Sequence, residues 1–263
     1  MTTPASAQSP LLDVAGVTLR YKSVDRLVTA TQDVSFRVFP GDRLVLLGPS
    51  GCGKSTLLKA VGGFIKPAEG SISLRGKEVT APGSDRIMVF QEFDQLLPWK
   101  TVRQNVVFSL MVTRRLAASE ADEQAMHYLH KVKLTAFADV YPHTLSGGMK
   151  QRAAIARCLA VKPDIVLMDE PFAALDAITR QQMQEELLDL WRDTGFTMLF
   201  VTHSISEAVL LGNRIVMLSS HPGRVRAEIP VTLTESAQSE GELREIKEYI
   251  RDLLYADTIE YSI

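Results

Sequence analysis

The chain has 263 residues, with 29 basic against 31 acidic side chains, 46% hydrophobic and 23% charged residues, and a net charge of −2. That balance excludes a disordered chain and gives no global pull toward nucleic acid, and the length suits one large α/β domain or a core with a subdomain. Cys52 and Cys158 are the only cysteines, too few for a disulfide framework and suited to a reducing compartment. Residues 1–10, MTTPASAQSP, are polar and carry no signal pattern, so they read as a flexible tail. Leu11 to Tyr21 alternates loosely and Val34 to Val38 cleanly, giving antiparallel strands. Arg43 to Leu47 is apolar and predicts a buried parallel strand. A helix follows from Ser55 to Val61, closed by Gly62 and Gly63. Ser71 to Arg75 reads as a strand, and Arg86 to Phe90 as a buried strand ending at Gln91.

Helical spacing then takes over, and residues 92–157 read as an inserted helical subdomain. Its helices are Val102 to Arg115, Ser119 to Val132 with Ser119 as cap, and Ser146 to Leu159. The α/β core resumes with a buried strand at Ile165 to Met168, then a helix at Thr179 to Arg192. A strand at Met198 to Val201 ends in Thr202 and His203. A short helix at Ser206 to Leu211 and a strand at Arg214 to Leu218 follow. Residues 226–263 read as a C-terminal helical extension, in which Glu242 to Leu254 forms a single docking helix with Leu243, Ile246, Ile250 and Leu253 on one face. No apolar run has the length of a membrane span, so work at a membrane would need another chain.

Between the buried strand and the first helix lies Gly48 to Thr56, GPSGCGKST. Strand, glycine-rich loop and helix give the context in which G-x-x-x-x-G-K-[ST] is a phosphate-binding proposal. Gly48, Gly51 and Gly53 admit backbone angles closed to other residues, so successive N–H groups of the loop, those of Ser50 and Cys52 among them, can curl about one anion beside Pro49, helped by the helix N-terminus. Pro itself supplies no N–H, only shape. Lys54 would reach the β- and γ-phosphates, and Ser55, followed by Thr56, would ligate Mg²⁺. Alone, the loop implies NTP binding and not its purpose. The strand Ile165 to Met168 ends in Asp169 and Glu170. Beside a phosphate loop, Asp169 reads as a metal carboxylate acting through water, and Glu170 as the group that orients the attacking water. Leu145-Ser146-Gly147-Gly148-Met149-Lys150-Gln151 is a second glycine and hydroxyl loop opening a helix, a second anion-binding end.

LSGGMKQR resembles the signature loop of ABC ATPases, and the resemblance extends in motif order over residues 11–225. It implies an α/β P-loop NTPase fold, with an antiparallel β subdomain and an inserted α-helical subdomain. It also implies ATP and Mg²⁺ as cofactors. Gln91 is similar to the glutamine-loop residue that touches Mg²⁺ and the transport subunit. Ala174-Leu175-Asp176 resembles the dimer-contact loop, and His203 the switch histidine. Tyr21 stands where the family stacks an aromatic ring on adenine, although ordinary core packing is its alternative. Ser146, Gly147, Gly148 and Gln151 would contact the nucleotide from the signature loop. Met149 and Ser204 depart from the commoner Gln and Asp, at positions that carry no obligatory charge. His127 and His130 form an H-x-x-H pair that lacks further ligands.

The same resemblance implies an obligate dimer, in which two copies of this chain sandwich ATP. It implies integral membrane permease subunits, a periplasmic or lipid-anchored solute-binding protein, and a place at the cytoplasmic face of the inner membrane. Leu96-Leu97-Pro98-Trp99 reads either as core or as a groove that receives a permease helix. The glutamine-loop run, FAALDAITRQQMQ and Leu218 to Arg224 look like the nitrate, sulfonate and taurine importer branch. An exporter ATPase is the alternative. A DNA-repair ATPase is disfavoured, because heptad tracts and C-x-x-C pairs are missing, and no nucleic-acid partner is expected.

Overall fold

The computed structural model describes residues 9–23, 26–231 and 240–260. The chain forms two compact units, one of Met1–Pro82 with Val201–Ile263 and one of Gly83–Phe200. Most of the expected tail, residues 1–8, lies outside the described residues.

In the first unit, β1 (Leu12–Ser23) and β2 (Arg26–Val38) pair antiparallel, with Tyr21 opposite Val28. Their inward residues Val14, Val17, Leu19, Val34, Phe36 and Val38 are buried. β2 starts well before the alternating run at Val34, because pairing with β1 rather than periodicity holds its first half. β4 (Glu69–Leu74) joins the other edge of β1, and β5 (Lys77–Glu78) follows it. The phosphate-loop strand β3 (Arg43–Leu47) is buried throughout and leads through that loop to α1 (Lys54–Val61). β9 (Arg214–Leu218) lies parallel to β3, and β10 (Val225–Pro230) antiparallel to β9. β10 has no alternating signature, since Ile229 alone of its residues is buried; a half-wet edge strand closed by proline leaves little pattern. α6 (Ile205–Leu211) and α7 (Glu240–Glu260) pack together, with Ile250 fully buried.

In the second unit, β6 (Arg86–Val89) runs parallel to β7 (Ile165–Asp169). α2 (Val102–Arg114), α3 (Ala118–Lys131) and α4 (Gly147–Ala160) pack on one another, and α5 (Ala177–Thr194) contacts α4. β8 (Met198–Thr202) is buried at every position, and the division between the units falls inside it. Two helix starts differ from expectation. α3 begins before Ser119, with Ala117 at its cap position and no side-chain cap bond; its acidic first turn carries the start instead. α5 begins at Ala177, because the Asp176 carboxylate accepts from the Ile178 and Thr179 N–H groups. Those bonds, the one from Thr179 foremost, hold the Asp176 carboxyl below its ordinary range.

Asn105 fixes the Leu97 to Thr101 loop onto α2. Its Oδ1 accepts from the Leu97 N–H, and its Nδ2 donates to the Leu97, Lys100 and Thr101 carbonyls. The side chain is buried, so Asn105→Leu leaves several partners unsatisfied. We expect a loss of about 2–4 kcal/mol in urea unfolding, with the loop around Trp99 more exposed to hydrogen exchange.

Candidate nucleotide site

In the first unit, the phosphate loop is built from two kinds of glycine. Gly51 and Gly53 have φ of 82° and 95°, the left-handed region where a Cβ is costly. Gly48 has ordinary φ but no room. A Cβ there would stand 2.8 Å from the Leu218 carbonyl and 2.9 Å from Cys52 Sγ. Cys52 is therefore more than a source of an N–H: its side chain is buried under the start of the loop. Lys54 is only 4% exposed. Its Nζ donates to the carbonyls of Gly48 and Pro49 at 2.8 Å each. The ammonium thus lies within the curl of the loop. α1 starts on Gly53 with no side-chain cap and no acidic residue in its first turn, which leaves that positive helix end for an external anion. A loop curled by left-handed glycines, an uncapped helix start and a lysine inside the curl fit a polyphosphate. Ser55 and Thr56 follow on the first turn of α1, where a hydroxyl can meet a divalent cation.

Two further predicted residues lie in this unit. Tyr21 is 50% exposed, so it is a surface ring and not core. His203 is exposed between β8 and α6. Its neighbours are fixed: the Thr202 hydroxyl bonds Glu207 and accepts from the Ser204 N–H at 3.0 Å, and Ser204 caps α6. The imidazole is displayed from a rigid corner.

The second unit carries the acids and the signature loop. Asp169 ends β7 and is buried, and Glu170 follows with φ of 44°. A non-glycine residue in that region is strained by about 1–3 kcal/mol and needs surrounding support. Support comes from the turn after it, where the Ala173 N–H bonds the Glu170 carbonyl. Arg180 on α5 donates to the carbonyls of Phe172, Ala173 and Leu175. Arg180 was not legible as part of a site, because a lone arginine on a charged helix looks like a solvated face. Ser146 caps α4 through the Met149 N–H, is itself exposed, and is followed by Gly147 and the buried Gly148.

Gln151 requires a correction. It was expected to contact the nucleotide, yet it is fully buried, at 0% exposure. Its amide donates to the Phe90 carbonyl, and its Oε1 accepts from Gln95. Gln95, which carried no sequence signal, also accepts from the Phe90 N–H and donates to the carbonyls of Phe90 and Glu92. Together these two amides tie the loop that follows β6, where exposed Gln91 sits, to α4. Arg157 adds a bond to the Gln95 carbonyl at 2.6 Å. Burial pushes the Cys158 thiol up to about 12, which makes it inert at neutral pH.

A family model described as "ABC transporter" matches residues 31–173. The taurine import ATP-binding protein TauB of Rhizobium johnstonii is 47% identical over 225 residues, covering 84% of each chain. An uncharacterized ABC transporter ATP-binding protein of Methanocaldococcus jannaschii is 46% identical over 222 residues, covering 84% of this chain and 82% of that one. A solved ATP-binding cassette, dimeric in a post-hydrolysis state with ADP and Pi, superposes with a TM-score of 0.73 at 32% identity, covering 85% of this chain and all of that one. The chain belongs to the ABC transporter family and is an ATPase that works with ATP and Mg²⁺ on a P-loop NTPase fold. Within that family it falls in the branch that holds the taurine import ATP-binding proteins.

Proposed function

We propose that this chain is the energy-coupling subunit of a bacterial importer for a small anion of the sulfonate, taurine or nitrate kind. The observation that carries the importer reading is the 47% identity to a taurine import ATP-binding protein along 84% of both chains. It works as a pair of copies bound to integral membrane permease subunits, with a separate solute-binding protein, at the cytoplasmic face of the inner membrane. No helix among the described residues is long and apolar enough to cross a membrane, so the permease supplies the path.

The net reaction is ATP and water to ADP and phosphate. Lys54 gives up its bonds to the Gly48 and Pro49 carbonyls for β- and γ-phosphate oxygens. The N–H groups of Gly51, Cys52 and Gly53 close around the phosphates, on a loop shaped by Gly48, Pro49 and Ser50. Ser55 and Gln91, with Asp169 through water, would hold Mg²⁺, which would neutralise charge on the phosphates, and Thr56 follows Ser55 on the first turn of α1. Glu170 orients and polarises the attacking water. His203 senses the γ-phosphate, and Tyr21 stacks on the adenine. Ser146, Gly147 and Gly148 meet the same γ-phosphate from the second copy, while Gln151 acts behind them by holding α4. Hydrolysis removes the group that both copies hold, so the pair reopens.

Trp99 is the contact expected to read that motion out. It is 69% exposed, and Phe108, Met111 and Val112 on α2 are exposed in the same unit. Trp99→Glu is expected to weaken co-purification with the permease by about 30-fold or more, while basal ATPase continues. Unchanged co-purification would sink the assignment. The importer reading is tested in proteoliposomes containing the permease and the solute-binding protein. Ligand-loaded binding protein should stimulate ATP turnover and inward movement of a sulfonate. Stimulated turnover without the binding protein, with outward movement, would mark an exporter.

A further inference from the structure

The loop from Ser219 to Arg224 has no part in the chemistry above, yet it backs the phosphate loop. Its Gly223 has ordinary φ, so its lack of a side chain answers to space. A Cβ there would stand 2.1 Å from the Cys52 carbonyl oxygen, a separation no real pair of such atoms tolerates. The strand end before it, Leu218, presents its carbonyl 2.8 Å from where a Gly48 Cβ would be. The strand end and the turn therefore touch the phosphate loop at Gly48 and Cys52 respectively.

The turn cannot simply retreat. The Gly223 N–H donates to the Ala30 carbonyl at 3.0 Å, and the Gly223 carbonyl accepts from the Gln32 N–H at 2.9 Å. Arg224 reaches Gln32 Oε1 at 2.6 Å, and its own N–H is held by the Ser219 hydroxyl at 3.0 Å. The same Ala30 carbonyl lies 2.7 Å from a Cβ placed on Gly53. Residues 30–32 of β2 are thus a strut between the turn and the phosphate loop, on the hairpin that also carries Tyr21.

We propose that Gly223 is a positioning residue for nucleotide binding: by seating the Cys52 carbonyl, it aims the Gly53 N–H at the phosphates. The Cys52 carbonyl and the Gly53 N–H belong to one planar trans peptide and point in opposite directions. Holding the carbonyl against Gly223 turns the N–H away from that wall, toward the side from which a phosphate arrives. Adding one methyl group forces this peptide to shift, which turns the Gly53 N–H off its line to the phosphates.

This rests on the phosphate loop being the nucleotide site, which Lys54→Ala tests separately. The inference itself is tested with the full chain by titrating MgATP and MgADP into Gly223→Ala and following basal ATPase. We expect both nucleotides to bind about 10- to 100-fold more weakly, the loss of one charge-assisted hydrogen bond, with KM for ATP rising in parallel and kcat falling less, alongside a lower thermal midpoint from the strain of the added methyl group. A merely structural role would lower the midpoint and leave the dissociation constants of the folded fraction unchanged, which would overturn the inference. If Gly223→Ala does not fold, exposed Arg224→Ala decides. Its loss loosens the turn without a clash, so MgATP should bind about threefold more weakly, and wild-type affinity would overturn the proposal. Wild-type binding by Lys54→Ala would instead overturn the site reading.

Discussion

Glu170→Gln will bind MgATP at close to wild-type affinity and turn it over about 100- to 10,000-fold more slowly, the range that loss of a positioned base costs. Glu170 and glutamine have the same shape, so the substitution keeps the side chain's reach and removes its charge and its basicity. The backbone already holds this residue at φ of 44°, and Arg180 braces the turn beyond it through three carbonyls. The variant should therefore fold like the wild type, with unchanged urea unfolding. Single-turnover measurements should place the defect in the chemical step and not in product release. Turnover at the wild-type rate would show that Glu170 is not the base.

Lys54→Ala will have two separable effects. The ammonium is buried and donates to two loop carbonyls. Removing it leaves both carbonyls without that donor, at a cost of about 1–3 kcal/mol in stability. It also removes the positive charge that meets the β- and γ-phosphates. Charge-assisted bonds are worth about 1.5–3 kcal/mol each, so MgATP affinity should fall on the order of 100-fold. Urea unfolding of the nucleotide-free protein reads the first effect, and equilibrium nucleotide binding reads the second. A stable variant that still binds MgATP at wild-type affinity would remove Lys54 from the site.

Local chemistry was legible in the sequence where a residue's neighbours in the chain determine its state. Gly51 and Gly53 need positive φ because the loop turns there, and Leu44 to Leu47 of β3 and Ile165 to Met168 of β7 are apolar because they are buried. What the sequence left hidden depends on contacts between distant segments. Gln151 sits one turn into α4 beside a phosphate-binding signature, which suggests a ligand contact; its partners, Phe90 and Gln95, lie more than 50 positions away in the chain. Gly223 reads as one glycine in a turn, and the Cys52 carbonyl that explains it belongs to another loop. β10 is an edge strand with one buried side chain, so periodicity could not mark it. Asp176, in the run that resembles a dimer-contact loop, caps α5, a role that its place just before a helix makes legible.

We propose that this chain holds half of a nucleotide site and that Ser146 and Gly148 of a second copy complete it. Light scattering of Glu170→Gln with saturating MgATP tests this most directly, alongside the double variant Glu170→Gln with Ser146→Glu. The single variant is expected to double the 29.1 kDa mass of the chain, whereas the double variant binds MgATP and stays at the mass of one chain. A single variant that remains a monomer with nucleotide bound, or a double variant that dimerises as well as the single one, would contradict it.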